Sequence, residues 1–173
     1  MKRLHRVWAL GADIDTDVLA PGAYMKLGVE GIAPHCLERV RPEFAANVKP
    51  GDVIVAGPGF GIGSSREQAA QVLVQLCIAA VIAPSYGGLF FRNAFNVGLL
   101  LLTCPRAHEL LDGMHVTTEI RTAPVVVAPD GDVLACENIP PFLLEMAQAG
   151  GLVNVLRARA KPVQSESVAM VSS

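Results

Sequence analysis

The strongest constraint on the fold is an alternation in the middle of the chain. Three short apolar runs, "VIVAG" (residues 53–57), "CIAAVIAPS" (77–85) and "LLLLTC" (99–104), are separated by two helix-like segments. Short apolar runs without polar alternation read as strands buried on both faces. The first spacer, from about Ser65 to Leu76, is a row of good helix formers. The second, "YGGLFFRNAFNVG", is a turn followed by a helix. Strand, helix, strand, helix, strand implies parallel pairing with helices packed over the sheet. Upstream, "HRVWAL" is a short strand and "GADIDTDVLAPGAYMKLG" a loop of turn formers and acids. Residues 29–48 have no clean period and read as short helices or a mobile segment. Downstream, "HVTTEIRT" and "VVVAPDGDVL" are strands, with Asp130-Gly131 marking a tight turn. "PPFLLEMAQAGG" is a helix entered through proline and stopped at Gly150-Gly151. The expectation is one three-layer α/β domain over residues 1–160, with a mixed sheet or a barrel-like edge. Residues 161–173 are expected to form a loose tail.

Composition removes several function classes. A chain of 173 residues that is 51% hydrophobic can bury a real core, which excludes general disorder. Net charge is −2 with scattered Lys and Arg, so no nucleic-acid surface is expected. Few aromatics (5%) and few charges (17%) beside that apolar surplus suggest that another chain covers part of the surface. The four cysteines, Cys36, Cys77, Cys104 and Cys136, form no CxxC pair, and no histidine stands at ligand spacing from them. That argues against a self-contained zinc or iron–sulfur site and against a secreted disulfide framework. The N-terminus reaches aspartates before any long apolar stretch, so no signal peptide is expected. No run approaches the length of a membrane span. A cytoplasmic location is expected.

The chemistry concentrates in "PGFGIGSSREQAAQVLVQL" (residues 58–76). A glycine-rich turn feeding a helix exposes backbone N–H groups, which with the helix dipole attract an anion. Arg66 adds a planar fork suited to a carboxylate or phosphate. Ser64 and Ser65 add hydroxyls. The same letters also permit a local role, in which Ser64 is an N-cap and Glu67 completes an S-x-x-E capping box. No lysine stands where a P-loop needs it, the glycines recur at every second position rather than as G-x-G-x-x-G, and G-x-S-x-G is absent.

Four segments in this order, "DIDTDVLAPGAYM", "GFGIGSSREQA", "VIAPSYGGLFFRNAFNVGL" and "EMAQAGGL", resemble the small subunits of 3-isopropylmalate dehydratase. These are the swivelling domain of the aconitase superfamily, a type shared with homoaconitase small subunits. The resemblance runs from about residue 6 to 156. It implies a β/β/α swivelling fold and a hydro-lyase that moves a hydroxyl to the neighbouring carbon of a 2-alkylmalate by dehydration and rehydration. It further implies a large subunit that holds a four-iron, four-sulfur cluster, with no cofactor on this chain. By the same resemblance Ser64 is the catalytic base, in alkoxide form, supported by Arg66. Ser65 and Arg66 bind a substrate carboxylate. Asp15, Thr16, Tyr24 and Lys26 belong to the loop at the mouth of the site and are expected to bind substrate, although Asp15, Thr16 and Asp17 also fit as turn formers.

In that family the residues after the tyrosine, here Met25, Lys26 and Leu27, help select the γ-substituent of the substrate. Arginine at the place of Lys26 goes with a carboxylate there and an aliphatic residue with isopropylmalate. Lysine is neither, so a homoaconitate-like or dimethylmalate-like substrate stays open, as does a non-catalytic anion-binding module. Two further departures are Ile62 for the family's usual cysteine and Gln68 for its usual histidine. Neither touches Ser64 or Arg66. Arg92 and Asn93 read as helix-packing residues that can support the motif from below.

Overall fold

The computed structural model describes residues 3–160. The expected tail at 161–173 lies outside the described residues. Seven strands form one sheet in the order β4-β3-β2-β1-β5-β6-β7. The strands are β1 (Arg3–Ala9), β2 (Val53–Val55), β3 (Ala80–Ala83), β4 (Leu101–Thr103), β5 (His115–Glu119), β6 (Val125–Val127) and β7 (Val133–Ala135). The first four pair in parallel, with Val7 opposite Val53, Val53 opposite Ala80 and Val81 opposite Leu101. The remaining strands add antiparallel, β5 pairing with the outer edge of β1. The sheet is therefore mixed, and β1 belongs to both halves. The sheet also curls. Beyond β7 the Glu137 N–H donates to the Thr103 carbonyl at the end of β4 (2.8 Å), so the two edges meet.

The apolar runs fold as read because every residue of β2 and β3 is buried. Helices α4 (Gln68–Gln75) and α5 (Gly88–Asn96) are the parallel crossovers. Each buries one stripe, through Ala69, Ala70, Val72 and Leu73 in α4 and through Phe90, Ala94 and Phe95 in α5. Under β1 the Trp8 indole N–H donates to the buried Asp52 carboxylate (2.8 Å), while Phe44 meets the Trp8 ring edge-on. The K-P-G-D turn that supplies Asp52 is thus tied into the core.

Three boundaries differ from expectation, and one open reading is resolved. The helix read from Ser65 begins at Gln68, because the chain is still turning through Ser64 and Ser65. The acid-rich loop contains a one-turn helix, α1 (Thr16–Leu19), and a 3-10 segment at Gly22–Leu27. Asp15 makes α1 possible, its carboxylate accepting the Asp17 and Val18 N–H groups as an N-cap. The segment without a period resolves into short helices, α2 (Gly28–Ile32), a 3-10 turn at Ala33–His35 and α3 (Phe44–Asn47), each too short to show a 3.6-residue repeat. After α6 (Pro141–Ala149), Gly150 takes the left-handed conformation and the chain restarts as α7 (Leu152–Ala160), which was not anticipated.

Candidate active site

The carboxyl ends of the parallel strands lie together, and the loops that leave them build the site. The glycine turn after β2 runs between two other loops. On one side it continues the β1–β2 pairing: Asp13 N–H donates to the Pro58 carbonyl, Gly61 N–H to that of Ile14, and Thr16 N–H to that of Ile62. On the other side Phe60 N–H donates to the Ser85 carbonyl and Gly87 N–H to that of Phe60. Glycine is required at position 61, where φ is +77° and a Cβ would stand 2.2 Å from the Phe90 ring. The turn is thereby pressed onto α5.

That pressure delivers Ser64, Ser65 and Arg66 to the surface with separate supports. The Ser64 and Thr16 side-chain oxygens lie 3.1 Å apart, and Ser64 N–H donates to the same Thr16 oxygen at 3.2 Å. Thr16 itself is buried, so its hydroxyl is fixed from behind while Ser64 stays exposed. Arg66 donates to the Asp17 carboxylate (2.8 Å) and to the Ala20 carbonyl (2.6 Å). Asp17 also accepts from Gly22 N–H and pairs with Arg39. The Arg66 guanidinium, then the Gly22 N–H, holds the Asp17 carboxyl below its ordinary range. Asn93 of α5 donates to the Ser65 carbonyl at 3.2 Å.

The capping-box alternative fails on geometry. Glu67 occupies the N-cap of α4 in helical conformation, and no side chain caps that helix. Ser64 turns to Thr16 instead.

The other residues singled out in the sequence divide. Asp15 spends its carboxylate on α1 and orients Thr16 and Asp17. The Tyr24 ring stacks on His35 at 3.5 Å between centroids, and His35 Nδ1 is 2.7 Å from the Glu38 carboxylate. Tyr24, with the Glu38 charge close by, has its phenol pKa raised. Lys26 is exposed and forms no hydrogen bond or ion pair among the described residues. Ile62 is exposed beside the turn, and Gln68 opens α4. The sequence reading set Asp17 among the turn formers and missed that it holds Arg66. The D-T-D triplet was the available signal, since it places a hydroxyl beside a carboxylate.

The four cysteines do not fit a cluster. Cys36 is fully buried in the core, where burial pushes its thiol up, Cys77 is exposed alone after α4, and Cys104 and Cys136 stand as a pair. Among the described residues no three His, Cys, Asp or Glu side chains are grouped to hold a metal ion.

A curled mixed sheet with a glycine turn and a Ser-Ser-Arg triplet at its parallel end is the swivelling domain of the aconitase class, and residues 40–107 match the Aconitase C-terminal domain family. The crystal structure of 3-isopropylmalate dehydratase (LeuD) from Methanocaldococcus jannaschii superposes with a TM-score of 0.85 at 38% identity, over 92% of this chain and 95% of that one. The 3-isopropylmalate dehydratase small subunit of Lachnospira eligens is 43% identical over 88% of this chain and 92% of its own length. Small subunit 1 of Archaeoglobus fulgidus is also 43% identical, over 90% and 97%. The chain belongs to the 3-isopropylmalate dehydratase small-subunit family.

Proposed function

We propose that this chain is the small subunit of a two-subunit hydro-lyase of the 3-isopropylmalate dehydratase type, isomerising a 2-alkylmalate for leucine biosynthesis in the cytoplasm. Its partners on this reading are a large subunit and a small di- or tricarboxylate, with no role for nucleic acid or membrane. The four-iron, four-sulfur cluster is assigned to the large subunit, since the cysteines of this chain do not gather to hold one.

The observation that carries the reading is the double clamp in which Thr16 fixes Ser64 and Asp17 fixes Arg66. Dehydration removes a weakly acidic C–H proton beside a carboxylate. Ser64 Oγ, as alkoxide, takes that proton, and on rehydration the resulting hydroxyl returns one to the neighbouring carbon. An alkoxide survives only where donors and positive charge face it. The Thr16 hydroxyl is one such donor, because its oxygen already accepts the Ser64 N–H and its proton is free for Ser64 Oγ. Arg66 supplies the charge. Its Nη1 is held by Asp17 and Ala20, which leaves Nη2 for a substrate carboxylate. That carboxylate gains charge in the aci-carboxylate intermediate, so the contact strengthens as the reaction proceeds. Ser65 completes the carboxylate contact. Asp15 and Thr16 act by positioning. Tyr24 and Lys26, on the 3-10 segment, face the γ-substituent.

Lys26 favours a second reading of the substrate. Its ammonium has no partner among the described residues, which suits a γ-group bearing a carboxylate, as in a homoaconitate-type substrate. The test is reconstitution. The purified chain is mixed with an anaerobically prepared large subunit and assayed for hydration of an alkylmaleate and of a tricarboxylate homologue. Activity is expected only from the pair. Full turnover by the isolated chain would overturn the two-subunit reading, and binding without turnover in the pair would favour an anion-binding module.

A further inference from the structure

Two thiols that the proposed chemistry does not use meet where the sheet closes on itself. Cys104 follows β4 and is fully buried, and Cys136 follows β7 and is half-buried. The hydrogen bond from Glu137 N–H to the Thr103 carbonyl joins the residues next to them, so the two cysteine segments run side by side. Each segment is pinned again from behind, Cys104 N–H donating to the Ala83 carbonyl (2.9 Å) and Cys136 N–H to that of Pro124 (3.0 Å). The two thiols are close enough to interact electrostatically, while the Cys136 thiol itself leans toward the Leu134 carbonyl (4.0 Å). The Tyr86 hydroxyl is anchored on the Val81 and Leu102 carbonyls, close enough to interact electrostatically with both thiols, as Arg106 and Glu109 do with Cys104.

We infer that Cys104 and Cys136 form a reversible dithiol–disulfide site, oxidised by hydrogen peroxide or a low-molecular-weight disulfide and reduced by thiols. The pair gives up its first proton more readily than an ordinary thiol. Cys104 is lowered to about 7, chiefly by the neighbouring Cys136 thiol, and Cys136 is raised in return. Peroxide reaches the half-buried sulfur. Cys136 passes its proton to the Cys104 thiolate and attacks one peroxide oxygen. The O–O bond breaks, leaving a Cys136 sulfenic acid and hydroxide. That hydroxide takes the Cys104 proton, and the Cys104 sulfur attacks the sulfenic sulfur and expels a second hydroxide, which is protonated from solvent. In sum two thiols lose two electrons, peroxide gains them, and two waters leave. The other cysteines cannot compete within the chain. Cys36 is buried apart, and Cys77 is exposed with no thiol beside it.

The site is tested on the full-length chain carrying Cys77→Ser, which removes disulfides between molecules. After peroxide or oxidised glutathione, non-reducing tryptic mapping is expected to join the peptides 93–106 and 122–157, lighter by two hydrogen atoms. Dithiothreitol should reverse the linkage. A loop closed between the two sheet edges also restricts the unfolded chain, so the oxidised form should melt several degrees higher. Cys136→Ser in the same background should lose both the cross-link and the shift in melting temperature. Two cysteines that both stay open to alkylation, or a Cys136 that proceeds to sulfinic acid without cross-linking, would overturn the assignment.

Discussion

Thr16 and Ser64 are 48 residues apart in the chain and 3.1 Å apart at their side-chain oxygens. The buried hydroxyl of Thr16 both accepts the Ser64 N–H and faces Ser64 Oγ, so one side chain sets the position of the other. The relationship exists because the loop after β1 continues the parallel pairing with β2 past the end of the sheet.

Thr16→Val should therefore damage turnover more than binding. Losing a hydrogen bond to a developing alkoxide costs about 1.5–3 kcal/mol, which corresponds to a fall in kcat of about 10- to 100-fold. Thr16→Ser keeps the hydroxyl and should recover most of the rate. Steady-state kinetics on the assembled enzyme decide the matter, and a Thr16→Val variant with normal kcat would remove Thr16 from the mechanism.

Ser64→Ala should abolish turnover and leave the fold nearly untouched. Ser64 is exposed and caps no helix, so the expected stability loss is under about 1 kcal/mol. The decisive comparison is between melting temperature and rate on one preparation. A clear drop in melting temperature with a normal rate would restore the capping role that the geometry rejects.

The Asp17–Arg66 pair predicts a definite pH behaviour. Its carboxyl is held below the ordinary value in the folded state. A depressed carboxyl contributes stability that is fully present above the unfolded midpoint of about 3.9 and is lost as pH falls through the lower folded midpoint. Between neutral pH and about 5 the clamp should be insensitive to pH. Arg66→Gln should move the Asp17 midpoint, followed by carboxyl NMR, upward toward the ordinary range. An unmoved midpoint would mean that Arg39 and the Gly22 N–H hold the charge without Arg66.

Lys26→Val should leave stability unchanged, because the ammonium is exposed and has no partner among the described residues to lose. In the reconstituted enzyme the substitution should shift the ratio of specificity constants toward aliphatic alkylmalates by about tenfold, the factor that about 1.4 kcal/mol of differential binding yields. An unchanged ratio would place substrate choice in the large subunit.

The parallel half of the sheet was legible from the order of residues alone. "VIVAG", "CIAAVIAPS" and "LLLLTC" are covered on both faces, and continuous apolar runs separated by helix-length spacers leave few other arrangements. Ser64, Ser65 and Arg66 stood out locally as a glycine turn running into a helix, but their proposed roles came from the family resemblance, because the residues that hold them lie about 50 positions away. Tertiary structure alone decided how those residues are held. The letters S-S-R-E permit a capping box as readily as an active site. The cap is absent, and the placement of these side chains was set by Thr16 and Asp17, contributed from the loop after β1, and by Phe90 closing against Gly61. Curling of the sheet likewise brought Cys104 to Cys136, two thiols 32 positions apart with no motif between them. Sequence carries local periodicity and turn chemistry, because these act over a few residues. Which distant loops share a hydrogen bond depends on strand register and sheet curvature, and those are set only when the whole chain has packed.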